Sequence, residues 1–380
     1  MIPFARVLTY GNRIDNSLEL KIYSNSTSAF VLDLKTSNLY ASTYVVNGAG
    51  TGKIEPKFVL SATDVKKLWL EDNSSQIAIL EKNDGSFWAV GSSYAITGIP
   101  ANFYTVWTNI SSLFSAVGLN GDNIAYMSSY YNLKINVVST DGSLYCCGKN
   151  STEVLSSFGD GTNTDYFNAL RKINAISGVK KAVGNYYLKT DGSVYATGIN
   201  VNYQYGNGTT TGVPTLVQVQ NNIQDINAGY QNLYTLDNNG VLRGNGRQFG
   251  AQYGNEFGTG GSSSTGAVVY PTPVQMASSV EKLYVCVGNM ATHIMRGGNS
   301  LYSTGSNALG QLGLGNLLPT YSYTRSFDFN SEAQFVRVNL GSLLFYGNKL
   351  YYSGRDDIAM GGTGTEFITT FTEVPLTFLL

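Results

Sequence analysis

Charge is scarce in this chain: Lys, Arg, Asp and Glu make up 13% of its 380 residues, where about 25% is usual for soluble proteins. The net charge is −1, and no basic run exceeds the pairs Lys66–Lys67 and Lys180–Lys181. Binding to nucleic acid rests on clustered cations that neutralise phosphates, so no nucleic-acid partner is expected. Histidine occurs once, at His293, which excludes a multi-histidine zinc centre. The three cysteines are the adjacent Cys146 and Cys147 and the distant Cys286. That arrangement fits neither a C-x-x-C ligand pair nor a disulfide framework, and reads as small buried hydrophobes. No apolar run approaches the ~18 residues of a membrane span. The N-terminus, MIPFARVLTYGN, lacks the charged-then-apolar layout of a signal peptide. Release from a cell would then go by lysis or by a non-standard route.

Polarity is carried instead by Asn, Ser, Thr, 43 glycines and 27 tyrosines. These residues recur in a pattern. DGSFWAVG starts at Asp84, DGSLYCCG at Asp141, DGSVYATG at Asp191 and GGNSLYSTG at Gly297; weaker copies are TSNLYAST, NNGVLRGN and YGNKLYYSG. The seven copies are anchored at Tyr40, Trp88, Tyr145, Tyr195, Leu242, Tyr302 and Tyr351, at intervals of 48, 57, 50, 47, 60 and 49 residues. A β-rich period near 50 residues is the signature of a propeller. Asp-Gly flanked by alternating apolar residues predicts a two-residue hairpin whose Gly takes a positive φ. The aromatic anchors are expected on the same strand of successive blades and largely buried. A second, Gly/Thr-rich echo follows each hairpin: GAGTGKIEP at Gly48, GDGTNTD at Gly159, GNGTTTGVP at Gly206, GTGG at Gly258 and GGTGTE at Gly361. It predicts a loop between the strands of a blade.

LYSTGSNALGQLGLGN, ending at Asn316, resembles the repeat of the regulator-of-chromosome-condensation family, whose units read roughly G-x-x-H-T-x-A-L-T-x-D-G-x-V-Y-x-W-G-x-N-x-x-G-Q-L-G. VYATGINVNYQYGNG keeps Gly198, Asn200, Gln204 and Gly206 in register, and the resemblance extends from about Asn16 to the C-terminus. The family histidine is replaced where GYQN ends at Asn232 and GNMA ends at Ala291. The resemblance implies one all-β domain over residues 1–380, a seven-bladed propeller of four-stranded antiparallel blades. The N-terminal MIPFARVLTY is expected to close the last blade, since closure removes exposed edges.

Rival chemistries are weak. GAGTGK at 48–53 has Asn47 and Ile54 where a phosphate-binding loop needs Gly and Ser/Thr. His293 falls at a strand position, and one histidine with no acid or nucleophile fixed beside it makes no triad. Asp160 and Asp165 in DGTNTD space two carboxylates for a weak calcium site, but without EF-hand order. Asp356, Asp357 and Glu256 are loop acids for a glycosidase reading, and no sialidase box accompanies them. No cofactor is expected.

Binding remains. Propeller connections cluster at two ends of a rigid ring, where functional residues are usually mounted. The two longest repeat units carry inserted aromatics at Phe158, Tyr166, Phe249, Tyr253 and Phe257, a paratope-like vocabulary. These five are the candidate contact residues. The expected function is non-enzymatic binding of a protein or a surface glycan, within a larger assembly such as a virion or an extracellular appendage. The alternatives are a secreted propeller-type inhibitor, or a guanine-nucleotide-exchange or chromatin regulator like the founding member of the family the repeats resemble.

Overall fold

A computed structural model describes residues 18–24, 28–43, 55–69, 76–99, 102–151, 157–163, 166–229, 231–248, 255–260, 268–286, 291–329, 333–338, 341–355 and 367–379. Among the described residues twenty-eight strands form seven antiparallel sheets, each of four strands consecutive in sequence. The blades, numbered 1 to 7, span 20–62, 65–109, 124–172, 179–220, 223–277, 280–328 and 334–374. First strands of neighbouring blades touch from blade 2 round to blade 7, that of blade 7 touches that of blade 1, and the first strand of blade 2 meets the second strand of blade 1. The fold is the expected seven-bladed β-propeller. Blade 7 is already four-stranded from its own segment. The first ten residues, expected to add a closing strand, lie outside the described residues.

Each second strand, such as Ser28–Asp33 or Ile77–Lys82, is buried along almost its whole length, whereas fourth strands such as Phe103–Asn109 are half-exposed. A second strand is covered by a neighbouring blade on each side, so both of its faces are apolar. The core is correspondingly divided into seven hydrophobic clusters, essentially one per blade–blade seam. Cys146 and Cys147 are free thiols in this core, and burial pushes the Cys146 thiol up to about 12.

The Asp-Gly turns differ from the expectation by one residue. Ser139 N–H donates to Ser143 O at 2.9 Å and Gly142 N–H to Ser139 O at 2.9 Å. The loop therefore has three residues, a type I turn followed by a left-handed Gly, and the same bonds recur at Lys189–Ser193. Gly142 and Gly192 have φ of 79° and 81°. The Asp carboxylate accepts the Ser N–H two residues on, at 2.9 Å in Ser86, Ser143 and Ser193. That bond explains why the copies read Asp-Gly-Ser.

The anchors lie on third strands as expected, with two corrections. In blade 5, Leu242 pairs with Leu236 as Leu144 pairs with Val138, so Arg243 holds the aromatic position and Leu242 stands one residue early. The aromatics are also less buried than expected: Tyr40 is 9% exposed and the others are intermediate. Strand alternation gives the fully buried place to the residue before each one, such as Phe87, Leu144 and Val194. Cationic stems cover the aromatics instead. Lys82 lies over Trp88 at 5.1 Å, Lys189 over Tyr195 at 5.8 Å and Arg296 over Tyr302 at 5.3 Å. Blade 5 keeps this pair of positions and exchanges its chemistry, with Arg243 bonded to Asp237 at 2.6 Å.

Candidate functional site

Antiparallel order fixes which connections share an end of the ring. First-to-second and third-to-fourth connections emerge at one end, and the Asp-Gly hairpins emerge at the other. The second glycine-rich echo belongs to the third-to-fourth connections, and its geometry in blades 3 to 6 shows its role. An apolar residue plugs the seam: Phe158, Tyr205, Phe257 and Leu312 are all buried at 0–1%. Two residues before that plug or further upstream, an asparagine often ties the loop. Asn307 Oδ1 accepts Leu312 N–H at 2.9 Å, and Asn200 Oδ1 accepts Tyr205 N–H at 2.9 Å.

Beyond the plug, the loop grips the next blade. Gly161, Gly208, Gly260 and Gly315 donate their N–H to the fourth strand of that blade, at Pro214, Pro271, Tyr321 and Thr369, over 2.7–3.0 Å. Side chains of the next blade answer: Thr304 Oγ1 donates to Asn255 O at 2.7 Å and Asn245 Nδ2 to Gln204 O at 2.8 Å. Gly313 has φ of 71°, and a Cβ there would stand 2.4 Å from the Phe371 ring. Glycine is required by both conformation and space. The echo is a blade-to-blade staple.

Three of the five candidate contact residues belong to this stapling. Phe158 and Phe257 occupy the plug position that Leu312 holds in the fullest repeat, so neither offers a surface. Both are corrected from contact residues to core residues. Tyr166 is half-buried at the seam of blades 2 and 3, stacked on Tyr94 at 5.9 Å with its hydroxyl donating to Tyr94 O. It too is spent inside the ring. Phe249 and Tyr253 lie outside the described residues.

The remaining sequence candidates are also engaged. Asp160 accepts from Thr162 Oγ1 at 2.7 Å and pairs with Arg171 at 3.4 Å. Its carboxylate thus serves the staple, and Asp165 lies outside the described residues. Glu256 is buried and accepts from Asn232 Nδ2 at 3.0 Å, while Asp356 and Asp357 are outside the described residues. His293 is buried on a blade 6 strand, its Nδ1 2.7 Å from Ser303 Oγ. The segment 48–53 is not described. Among the described residues no group of three or more His, Cys, Asp or Glu could hold a metal, and no helix is long and apolar enough to cross a membrane.

What the stapled end does expose is aliphatic. Leu317 and Leu318 are 39% and 70% exposed, Val201 60% and Ile99 58%. All four stand on third-to-fourth connections, in blades 6, 4 and 2. Those of blades 6 and 2 are held in place: Asn316 Oδ1 accepts Leu318 N–H at 2.8 Å, and Asn307 Nδ2 donates to Asn316 O at 2.8 Å. Asn102 N–H likewise donates to Ile99 O at 3.3 Å. The sequence reading missed them because it sought aromatics. A signal was present in NLLPT, where two leucines follow a glycine motif and break strand alternation.

No protein-family profile matches the chain. Solved structures do. Yeast RCC1 (Prp20), in a crystal structure bound to Kap60, superposes with a TM-score of 0.66 at 12% identity, over 99% of this chain and 91% of that one. Prp20p of Saccharomyces cerevisiae, in a structure reported with its binding to Gsp1p and histones, gives 0.67 at 12% identity over 95% and 86%. Human WBSCR16 gives 0.62 at 14% identity over 85% of each chain. Seven blades, their stapling loops and these superpositions together show that the chain has the fold of the RCC1-type seven-bladed β-propellers.

Proposed function

We propose that this propeller is a non-enzymatic binding scaffold that takes a protein partner at its stapled end. The observation that carries the reading is the set of exposed aliphatic posts, Leu317 and Leu318 foremost, on loops already fixed by hydrogen bonds. Exposed apolar side chains cost solubility when they serve nothing. Apolar anchors held rigid before binding lose little entropy when a partner covers them. Protein binding by relatives of the same fold supports the reading: the Prp20 structures are those of a protein bound to Kap60 and tested against Gsp1p and histones. At 12% identity that likeness carries the fold and not those partners. A place in a virion or an extracellular assembly fits the low charge and remains part of this proposal.

The test is affinity capture with the wild type and with Leu317→Ser plus Leu318→Ser, beside a glycan array. A protein captured by the wild type and lost by the double variant, with the unfolding midpoint unchanged, is the expected result. Capture that survives the double variant moves the contact elsewhere. A glycan bound in place of any protein overturns the choice of partner.

A further inference from the structure

Asparagine followed by glycine is a chemically fragile step in a polypeptide, because a residue without Cβ lets its backbone nitrogen come close to the asparagine Cγ. The chain has five such steps, at Asn47, Asn120, Asn207, Asn239 and Asn245. Asn47 and Gly48 lie outside the described residues. The other four differ in whether the reacting atoms are free.

Three of them are locked. Gly208 N–H donates to Pro271 O at 3.0 Å as part of a staple, and Gly240 N–H donates to Asp237 O at 3.0 Å inside a hairpin. Asn245 is fully buried, and its Nδ2 donates to Gln204 O at 2.8 Å. Asn120 differs on every count. It is exposed, on the connection that leads from the last strand of blade 2 to the first strand of blade 3. Among the described residues neither its Nδ2 nor the Gly121 N–H makes a hydrogen bond. Its Oδ1 accepts the N–H groups of Asp122 at 3.0 Å and Asn123 at 3.2 Å. Two donors on that oxygen draw electron density from Cγ and stabilise an oxyanion formed there. Packing imposes the glycine: a Cβ at Gly121 would stand 2.0 Å from Oε1 of Glu81, a buried residue of blade 2. The seam therefore rules out the side chain that would shield this step.

We propose that Asn120 is a site of spontaneous deamidation, the point at which the folded ring modifies itself with age. The Gly121 nitrogen bonds to Asn120 Cγ, the Cγ–Nδ2 bond breaks, and the Gly121 amide proton departs with the ammonia. Water then opens the resulting succinimide at either carbonyl, leaving aspartate or isoaspartate at position 120. The step needs neither an oxidant nor an enzyme, and it adds one negative charge. That charge arrives two residues from Asp122, which shares Lys66 Nζ with Glu81 at 3.4 Å and 2.8 Å. Isoaspartate also lengthens the backbone by one methylene in the turn that covers the Glu81 carboxylate.

The test is peptide mapping by mass spectrometry on the whole protein, kept native at neutral pH and sampled over weeks, with a second portion kept in urea. In the native portion Asn120 should yield aspartyl and isoaspartyl peptides. Asn207, Asn239 and Asn245 should convert at least about tenfold more slowly, a margin of about 1.4 kcal/mol on the barrier. In urea the four steps should convert at similar rates, because the fold supplies the difference. Asn120 unchanged in the native portion overturns the proposal. So does native conversion of Asn120 no faster than that of the three locked steps.

Discussion

Lys134 is the residue with the least ordinary environment in the ring. It is fully buried at the start of a blade 3 strand, with Nζ donating to Ser157 O at 2.7 Å, Asn185 Oδ1 at 3.0 Å and Tyr187 OH at 3.2 Å. Desolvation lowers its pKa to about 8, against about 10.4 in an unfolded chain. Between those values the unfolded chain holds a proton that the folded protein has shed. Stability therefore rises with pH from about 8 to about 10. Burial raises Tyr186, Tyr187 and Tyr234 well above their ordinary value; unfolding lets these phenols ionise, so stability falls again above pH 10. Urea unfolding from pH 7.5 to 10 should show the rise in the wild type and lose it in Lys134→Met; a flat wild-type profile counts against the buried ammonium. Asp141 works in the opposite range. Hydrogen bonds from Ser139 and Ser143 hold its carboxyl at about 2, so its contribution is complete above pH 4 and drains away as pH falls toward 2.

At the scale of elements, the hairpin and the staple each depend on glycine. Gly192 has φ of 81°, and a Cβ would meet Ile223 O at 3.2 Å, in the blade that the hairpin touches. Gly192→Val should cost about 1–3 kcal/mol, since a β-branched residue is strained there. An unchanged denaturant midpoint would contradict the turn. Truncating a staple plug, Leu312→Ala, should cost about 2–5 kcal/mol as a buried cavity. The same truncation at Leu318 should fall within about 0.5 kcal/mol, as for an exposed residue.

These elements show what the sequence disclosed and what it hid. Asp-Gly-Ser spacing located every hairpin it was read for, because turn chemistry is local. The turn length was missed by one, because the residue that accepts the closing bond is set by the strand pairing and not by the Asp-Gly pair. Phe158 and Phe257 read as inserted contacts because an aromatic and a leucine look unlike in sequence. In the ring they fill the same hole. Arg243 was missed as an anchor because blade 5 replaces a cation over an aromatic ring with an ion pair. Tyr166 could not be placed without knowing that Gly98, 68 residues earlier, is pressed against its ring.

At the scale of the whole molecule, closure rests on side chains more than on a shared sheet. Gln334, the first strand residue of blade 7, accepts Ile22 N–H at 3.1 Å and donates to Leu20 O at 2.8 Å in blade 1. A hydrophobic cluster with members in both blades, including Ile22 and Leu343, backs these bonds. Gln334→Leu keeps the bulk and leaves two backbone groups without their partner, which should cost about 1–3 kcal/mol. Hydrogen exchange should then quicken first at the Ile22 N–H, which loses its acceptor; quickening spread evenly over all seven blades would show that the joint is no weaker than its neighbours.

The staples also give the ring a direction. In blades 3 to 6 each loop reaches forward to the blade that follows it in sequence, and the fourth strand so gripped belongs to a later part of the chain. During synthesis a blade leaving the ribosome is therefore already held by the one before it. Its own loop, with an unburied plug and an unbonded glycine N–H, waits for a segment not yet made. Over blades 3 to 6 the growing chain would leave the loop of its newest blade unfinished until the next is made, while the face of blade 1 that blade 7 covers stays open to the end.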